Sequence, residues 1–399
     1  MANQIQPLLT RSGTGAAALW SLEPGMHHLN HGSFGGVPQH VLDRLQQLRG
    51  EMEANPVRWF VELPGRIARA REQLAPLLDV AVDDLAFVPN ATAGCSVVYR
   101  ALEERGPVNV TVTTHGYGAV VMGAQRLAAR TGGRFDVIDI PVSATAEEAT
   151  AVVDAHLAQH PADLLVIDQI TSATSRILPA EAICDVAHAR GSLVLVDGAH
   201  APGVLASPVV ANADVWVGNL HKFWCAPRGT AVLVRNNPTL DLYPLIDSWG
   251  TPDPYPLRFD MQGTLDLTAW LCAAETFHHL DSEIGWPAIR EYSANLMDFA
   301  EAEVGAALRA VGVADPVPDV GQPVPCMRLF RLPGNAAWTH AEVDALRVPF
   351  MNASHVIVSF TNIGHEGFMR LSTHAYTTPD DILALATTGI AALAQRAVA

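Results

Sequence analysis

Residues Leu193-Val-Leu-Val-Asp-Gly-Ala-His200, followed by Gly218-Asn-Leu-His-Lys-Phe223, decide how this chain is read. The first stretch is a hydrophobic β-run that ends on an acid. The second carries Lys222, the only lysine in 399 residues; the other 24 of the 25 basic residues are arginine. A coding bias toward arginine accounts for the missing lysines, and the survivor is expected to do something that a guanidinium cannot. Arginine stays protonated and forms no imine, whereas a desolvated lysine amine loses its proton and condenses with a carbonyl. Asp197 stands 25 residues upstream. An acid at a strand end with a lysine in a later loop matches the two anchors of pyridoxal phosphate (PLP). The carboxylate keeps the pyridine nitrogen protonated and the lysine holds the aldehyde.

Around this pair the hydrophobic pattern alternates. Short β-rich runs at 85–88, 108–113, 135–140, 163–168, 192–197, 214–218 and 230–235 are mostly separated by helical stretches. That predicts an α/β fold with a doubly wound, mainly parallel, seven-stranded sheet. Ligands of such sheets sit outside the strand C-termini. Helices are expected at 38–54 and 65–78, and a proline-rich irregular loop over 243–260. A helical region over 263–310, a strand at 326–332 and a helix at 339–346 follow. Strands near 355–360 and 368–373 and a helix at 378–397 complete a smaller α+β domain. The expected division is an N-terminal arm over 1–20, a large PLP-binding domain over 21–262 and a small C-terminal domain over 263–399.

Bulk properties agree with an enzyme of small molecules. The length exceeds one simple core. Hydrophobic residues make up 49% and charged residues 17%, which suits a well-packed enzyme. The net charge of −16 argues against nucleic acid and anionic membranes as partners. No apolar run reaches the roughly 18 residues needed to cross a bilayer, and Met1–Thr10 lacks a basic-then-apolar leader, so a cytoplasmic location is expected. Five cysteines are scattered singly with no CxxC, which speaks against a disulfide framework.

Several strand ends then supply candidates for one site. Thr92, with the N–H groups of Ala93 and Gly94, opens a helix after the run ending at Val88 and suits a phosphate. Tyr117 is a candidate to stack on a planar ring, with His115 its rival. Ser172 suits a phenolic oxygen, with Asp168 and Gln169 as alternatives. His200 is either an orienting or proton-handling group near the lysine or a satisfied half-buried histidine. His221 and Asn219 flank Lys222 on the expected phosphate side. Arg370, in Met369-Arg-Leu-Ser-Thr-His-Ala-Tyr376, suits bidentate capture of a carboxylate.

Leu29-Asn-His-Gly-Ser-Phe-Gly35, Asp197-Gly-Ala-His-Ala-Pro202, Gly218-Asn-Leu-His-Lys222, Ala226-Pro-Arg-Gly229, Gly263-Thr-Leu-Asp266 and Arg370-Leu-Ser-Thr-His-Ala-Tyr376 come in one order over nearly the whole chain. In these stretches the chain resembles the fold-type I, class V aminotransferase-like PLP enzymes, in particular their isopenicillin N epimerase branch. The resemblance implies a homodimer with shared active sites. Lys222 would carry the internal aldimine and Asp197 would pair with the pyridine nitrogen. Tyr117 would stack on the ring, and Thr92, Ala93 and His221 would hold the phosphate. Thr264 would reach the phosphate of the neighbouring subunit, and Ser172 would lie near the phenolic oxygen. Arg370 would bind the substrate α-carboxylate and Asn30 would line the substrate side.

The implied chemistry is at Cα or Cβ of an amino acid, through an external aldimine and a quinonoid. Epimerisation is the first expectation, and β-elimination from a cysteine S-conjugate in secondary metabolism, or a decarboxylating or deaminating reaction, is the alternative. Cysteine desulfurases of this family carry a nucleophilic cysteine shortly before the carboxylate arginine. Here residues 333–369 contain none, and Cys326 stands 44 residues before Arg370. Two other classes are weighed: a PLP-binding protein without catalysis, and a metal hydrolase using His27, His28, His31, His278 or His279. The intact lysine, aspartate and arginine oppose the first. The absence of an HExxH spacing opposes the second, and no metal is expected.

Overall fold

A computed structural model describes residues 5–334 and 337–398. Residues 1–4 of the expected arm lie outside them. The chain forms two compact units. One comprises residues 40–172 and 177–278; the other comprises 1–39, 173–176 and 279–399.

The unit containing residues 40–172 is built on a seven-stranded sheet. Its strands are β1 (Leu85–Val88), β2 (Val110–Thr113), β3 (Phe135–Ile138), β4 (Leu164–Asp168), β5 (Leu193–Asp197), β6 (Val215–Asn219) and β7 (Ala231–Arg235), in the order β1-β7-β6-β5-β4-β2-β3. All seven expected runs are strands. Every residue of β4 and β6 is buried, as near-continuous apolar runs must be in a sheet covered on both faces. Helices α1 (Ala91–Leu102), α2 (Gly118–Thr131), α3 (Ala146–Gln159) and α4 (Ala180–Ala189) provide the crossovers between parallel strands. β7 runs antiparallel to both β1 and β6. The link from β6 to β7 holds no helix, and only antiparallel strands close on so short a link.

α1 lies close on the sheet because its first turn has a glycine. A Cβ at Gly94 would stand 2.8 Å from Val217 Cγ1. Val88, Cys95, Val112, Leu195, Val217 and Leu233 join one buried core there. Each large aliphatic side chain so buried contributes about 1.5–3 kcal/mol.

Two helix boundaries differ from expectation. The second N-terminal helix spans Pro56–Leu74, not 65–78. Asn55 caps it by accepting the Arg58 N–H at 3.1 Å, Pro56 takes the first turn, and Pro64 sits inside the helix. Trp59, Leu63, Ile67, Ala70 and Leu74 are buried along it, and that packing outweighs the amide bond lost at Pro64. The helix His340–Ser354 likewise runs through Pro349 and past the expected end at 346.

The other unit holds a three-stranded antiparallel sheet, β8 (Met327–Arg331), β9 (Ser359–Ile363) and β10 (Glu366–Ser372), in the order β9-β10-β8. α5 (Trp286–Ala310) and α6 (His340–Ser354) pack with it through Leu296, Met297, Val304, Phe330, Phe350, Met369 and Leu371. The helical region expected over 263–310 is three helices, the longest being α5, which starts after Gly285 at φ 103°. A short parallel pair, His27–His28 with Val356–Ile357, leads to a bridge between Asn30 and Ser372. Among the described residues no helix is long and apolar enough to cross a membrane.

Candidate active site

In the seven-stranded unit the candidate residues meet at the C-terminal ends of β4, β5 and β6. Asp197 is the last residue of β5 and is buried. Its Oδ1 accepts the Ala199 N–H at 2.9 Å. It makes no ion pair among the described residues, although burial without a partner is costly for a carboxylate. Burial pushes its pKa up, while the charge of Lys222 and the Ala199 N–H pull it back. Lys222 Nζ lies 3.0 Å from His200 Nε2. His200 is buried three residues beyond Asp197, so the Asp-Gly-Ala-His stretch delivers both the acid and the imidazole to the one lysine.

Glycines allow this strand end to close. A Cβ on Gly198 would stand 2.3 Å from Trp216 Nε1, and one on Gly218 2.2 Å from the same indole. Trp216 Nε1 donates to Gln169 Oε1 at 3.0 Å. That bond engages the Gln169 Oε1 and leaves its amide NH2 as the group able to donate to a phenolic oxygen. Asp168, its neighbour, instead lines up with Asp197 in the register of β4 and β5. Ser172 lies four residues beyond Asp168 and is half-buried.

The N-terminus of α1 stands beside the same strand ends. Asn219, the last residue of β6, accepts the Ala91 N–H through Oδ1 at 2.8 Å. Asn90 accepts the Ala93 N–H through Oδ1 at 2.8 Å, and its carbonyl accepts the Gly94 N–H at 3.1 Å. The free amides expected at Ala93 and Gly94 are therefore engaged by Asn90. The Thr92 N–H and hydroxyl belong to the same turn. Asn90 went unremarked in the sequence, although an Asn directly before a helix is a cap signal. His221 Nδ1 is 3.1 Å from the Thr230 carbonyl. Burial, then the Lys222 charge, pushes the His221 pKa down to about 4.

The rivals for ring stacking separate. His115 is buried with Nε2 2.9 Å from the Ile140 carbonyl. Tyr117 precedes α2 with its side chain 45% exposed. Thr264 lies in an exposed turn and bonds to none of these residues.

Asn30 and Arg370 belong to the other unit, and there they meet. Arg370 is buried on β10, and its Nη2 donates to Ser33 Oγ at 2.9 Å and to Asn30 Oδ1 at 3.5 Å. Ser33 Oγ donates to Asn30 Oδ1 at 2.7 Å. Ser33 was not singled out in sequence, because the contact joins residues 337 apart. Nearby, the His31 and His374 rings stack at 4.1 Å, and His31 Nδ1 lies 2.8 Å from the Tyr376 hydroxyl. All five cysteines are buried. Cys326 stands directly before β8, and burial pushes its thiol up to about 12, which disfavours the reactive thiolate at neutral pH.

The family described as aminotransferase class V matches residues 35–385. The chain belongs to the class V aminotransferase family. Isopenicillin N epimerase of Streptomyces clavuligerus is 30% identical over 299 residues, covering 70% of this chain and 75% of that protein. A probable chloroplastic L-cysteine desulfhydrase of Arabidopsis thaliana is 25% identical over 293 residues, covering 69% and 57%. The solved structure of the cystine C-S lyase C-DES with its product cysteine persulfide superposes with a TM-score of 0.74 at 18% identity, covering 93% of this chain and 98% of that one. That likeness shows the fold, which is that of the fold-type I PLP enzymes.

Proposed function

We propose that this class V family member is a PLP-dependent enzyme that acts at Cα of an amino acid, in the manner of isopenicillin N epimerase. The observation that carries this reading is the strand-end group. A buried carboxylate without an ion-pair partner among the described residues, Asp197, shares its surroundings with the one lysine, which is 3.0 Å from His200. These residues fit PLP. A buried, unpaired carboxylate suits a pyridinium, and a lysine amine suits an aldehyde. When bound, PLP supplies a carbonyl for the substrate amine and a cationic ring that withdraws electrons from Cα.

The chain supplies the rest. Asp197 would keep the ring nitrogen protonated by offering it a buried carboxylate that makes no ion pair among the described residues. Tyr117 offers its exposed ring for stacking. Thr92 at the start of α1, with Asn219 and His221, would take the phosphate side, where a helix N-terminus favours an anion, and Ala93 would line that turn. Ser172 and His200 serve the phenolic side. Lys222 would remove the Cα proton, and His200 would hold the amine in place and exchange the proton with it. Arg370, oriented by Ser33 and Asn30, binds the α-carboxylate.

The protein works as a cytoplasmic homodimer in which Thr264 serves the neighbouring subunit. The 90% exposed Trp249 and the exposed Val57 and Val61 support a partner surface on the seven-stranded unit. A monomer by light scattering would remove that part of the reading.

A second reading is a C–S β-lyase acting on a cysteine S-conjugate. It is favoured by the relatives named as desulfhydrases and by the C-S lyase among the structural likenesses. Proton NMR in heavy water, with PLP-loaded enzyme and a panel of L-amino acids and cysteine S-conjugates, separates the two. Exchange of the Cα proton with accumulation of the epimer supports the first reading. A keto acid with a released thiol supports the second. Multiple turnovers by Lys222→Ala would refute both.

A further inference from the structure

Asp168 and Asp197 are register partners on the adjacent parallel strands β4 and β5. Partners in register leave a sheet on the same face, on strands about 4.8 Å apart. Both carboxylates are buried, and neither makes an ion pair among the described residues. Asp168 accepts the backbone N–H of Tyr117. A Cβ on Gly116 would come within 3.9 Å of Asp168 Oδ2. Asp168 therefore lies directly beneath the loop that presents the Tyr117 ring.

Four titratable groups face Asp168. They are Asp197 from β5, Lys222 from the loop after β6, and Cys95 and Tyr99 from α1. Burial, reinforced by the two aspartates, holds both Cys95 and Tyr99 neutral. Two carboxylates and one amine remain. Like charges this close in a buried space do not both ionise, because each disfavours the other's charge while water is excluded.

We propose that Asp168 is the neutral member of a carboxylate dyad: a positioning residue that fixes the Tyr117 loop and leaves the dyad's single negative charge on Asp197. The environments of the two acids assign the proton. Burial and the Asp197 charge push Asp168 well above the usual carboxylate range. At Asp197 the Lys222 charge and the Ala199 N–H oppose burial. The inference rests on the PLP reading of the pocket only for its consequence, that one pyridinium meets one negative charge.

Infrared spectroscopy of the cofactor-free protein at neutral pH tests the protonation itself. A carboxylic-acid C=O band that shifts in heavy water is expected, and it should vanish in Asp168→Asn. No such band in the wild type, which needs no variant to establish, overturns the proposal. So does a band that survives in Asp168→Asn.

PLP titration tests the positioning. Asp168→Asn keeps the shape, the neutrality and the acceptor for the Tyr117 N–H, so its Kd for PLP should stay within about twofold of wild type. Asp168→Ala loses the anchor and should bind about tenfold more weakly, with an altered circular dichroism band of the bound cofactor. Asp168→Asn binding as poorly as Asp168→Ala would mean that a charge is required and would overturn the dyad, as would Asp168→Ala binding like wild type. A wild-type protein that takes up no PLP would instead refute the proposed function, while the infrared band still decides the dyad.

Discussion

Ser33→Ala isolates the arginine assigned to the substrate carboxylate. Arg370 is buried on β10, and its Nη2 rests on Ser33 Oγ at 2.9 Å, with Asn30 Oδ1 further off at 3.5 Å. A hydrogen bond to a charged group is worth about 1.5–3 kcal/mol. A contact at 3.5 Å recovers little of it. Arg370 keeps its other interactions, so the lower end applies. Carboxylate binding should weaken by about 1.5 kcal/mol, roughly tenfold in KM, with kcat within about twofold. Initial rates of Cα-proton exchange measured against substrate concentration give both constants. Ser33→Thr retains the hydroxyl and should restore KM. An amino-acid amide, which lacks the carboxylate, should not distinguish Ser33→Ala from wild type. An unchanged KM, or an equal loss with the amide, would refute the reasoning.

Three further outcomes are expected. The His221 pKa is about 4 in the folded protein, against about 6.5 unfolded, so the unfolded chain binds more protons in that interval. Stability should be full above pH 6.5 and fall as pH drops toward 4, by up to roughly 3 kcal/mol from this residue; urea titrations at pH 7.5 and 4.5 should show His221→Asn flattening the loss. Arg71 and Asp260 form a doubly hydrogen-bonded pair at 2.6 and 2.8 Å with side chains 2% and 3% exposed. Arg71→Ala strands a buried carboxylate and should cost about 3–5 kcal/mol by denaturant titration, much of it recovered in the Arg71→Met, Asp260→Leu double variant. Burial pushes the thiols of Cys184, Cys272 and Cys326 up to about 12, and those of Cys95 and Cys225 above their ordinary value as well. The native protein should thus resist iodoacetamide at pH 8 and keep its activity; rapid loss of activity with one thiol modified would contradict this.

The parts of this protein legible in its sequence are those set by local pattern. A strand buried on both faces must be apolar throughout, so β4, β5 and β6 stand out as runs whatever their neighbours. The acid that ends β5 and the single lysine after β6 are chemical exceptions within such runs, and they mark the site without reference to any contact. Helix limits were less legible where a proline stood inside: at Pro64 and Pro349 the packing of a continuous apolar face prevails over the local rule.

Tertiary structure decided what depends on register and on distant partners. Only the pairing of β4 with β5 sets Asp168 on the same face as Asp197 and turns Gln169 to the Trp216 indole. A slip of one residue would exchange those roles, because side chains alternate along a strand. Asn219 takes the Ala91 amide across 128 residues, and Ser33 meets Arg370 across 337, because folding closes those distances. A sequence shows which groups are able to react or bind. Which of them share one buried space, and so which must give up a charge, follows from the pairing of strands that are remote along the chain.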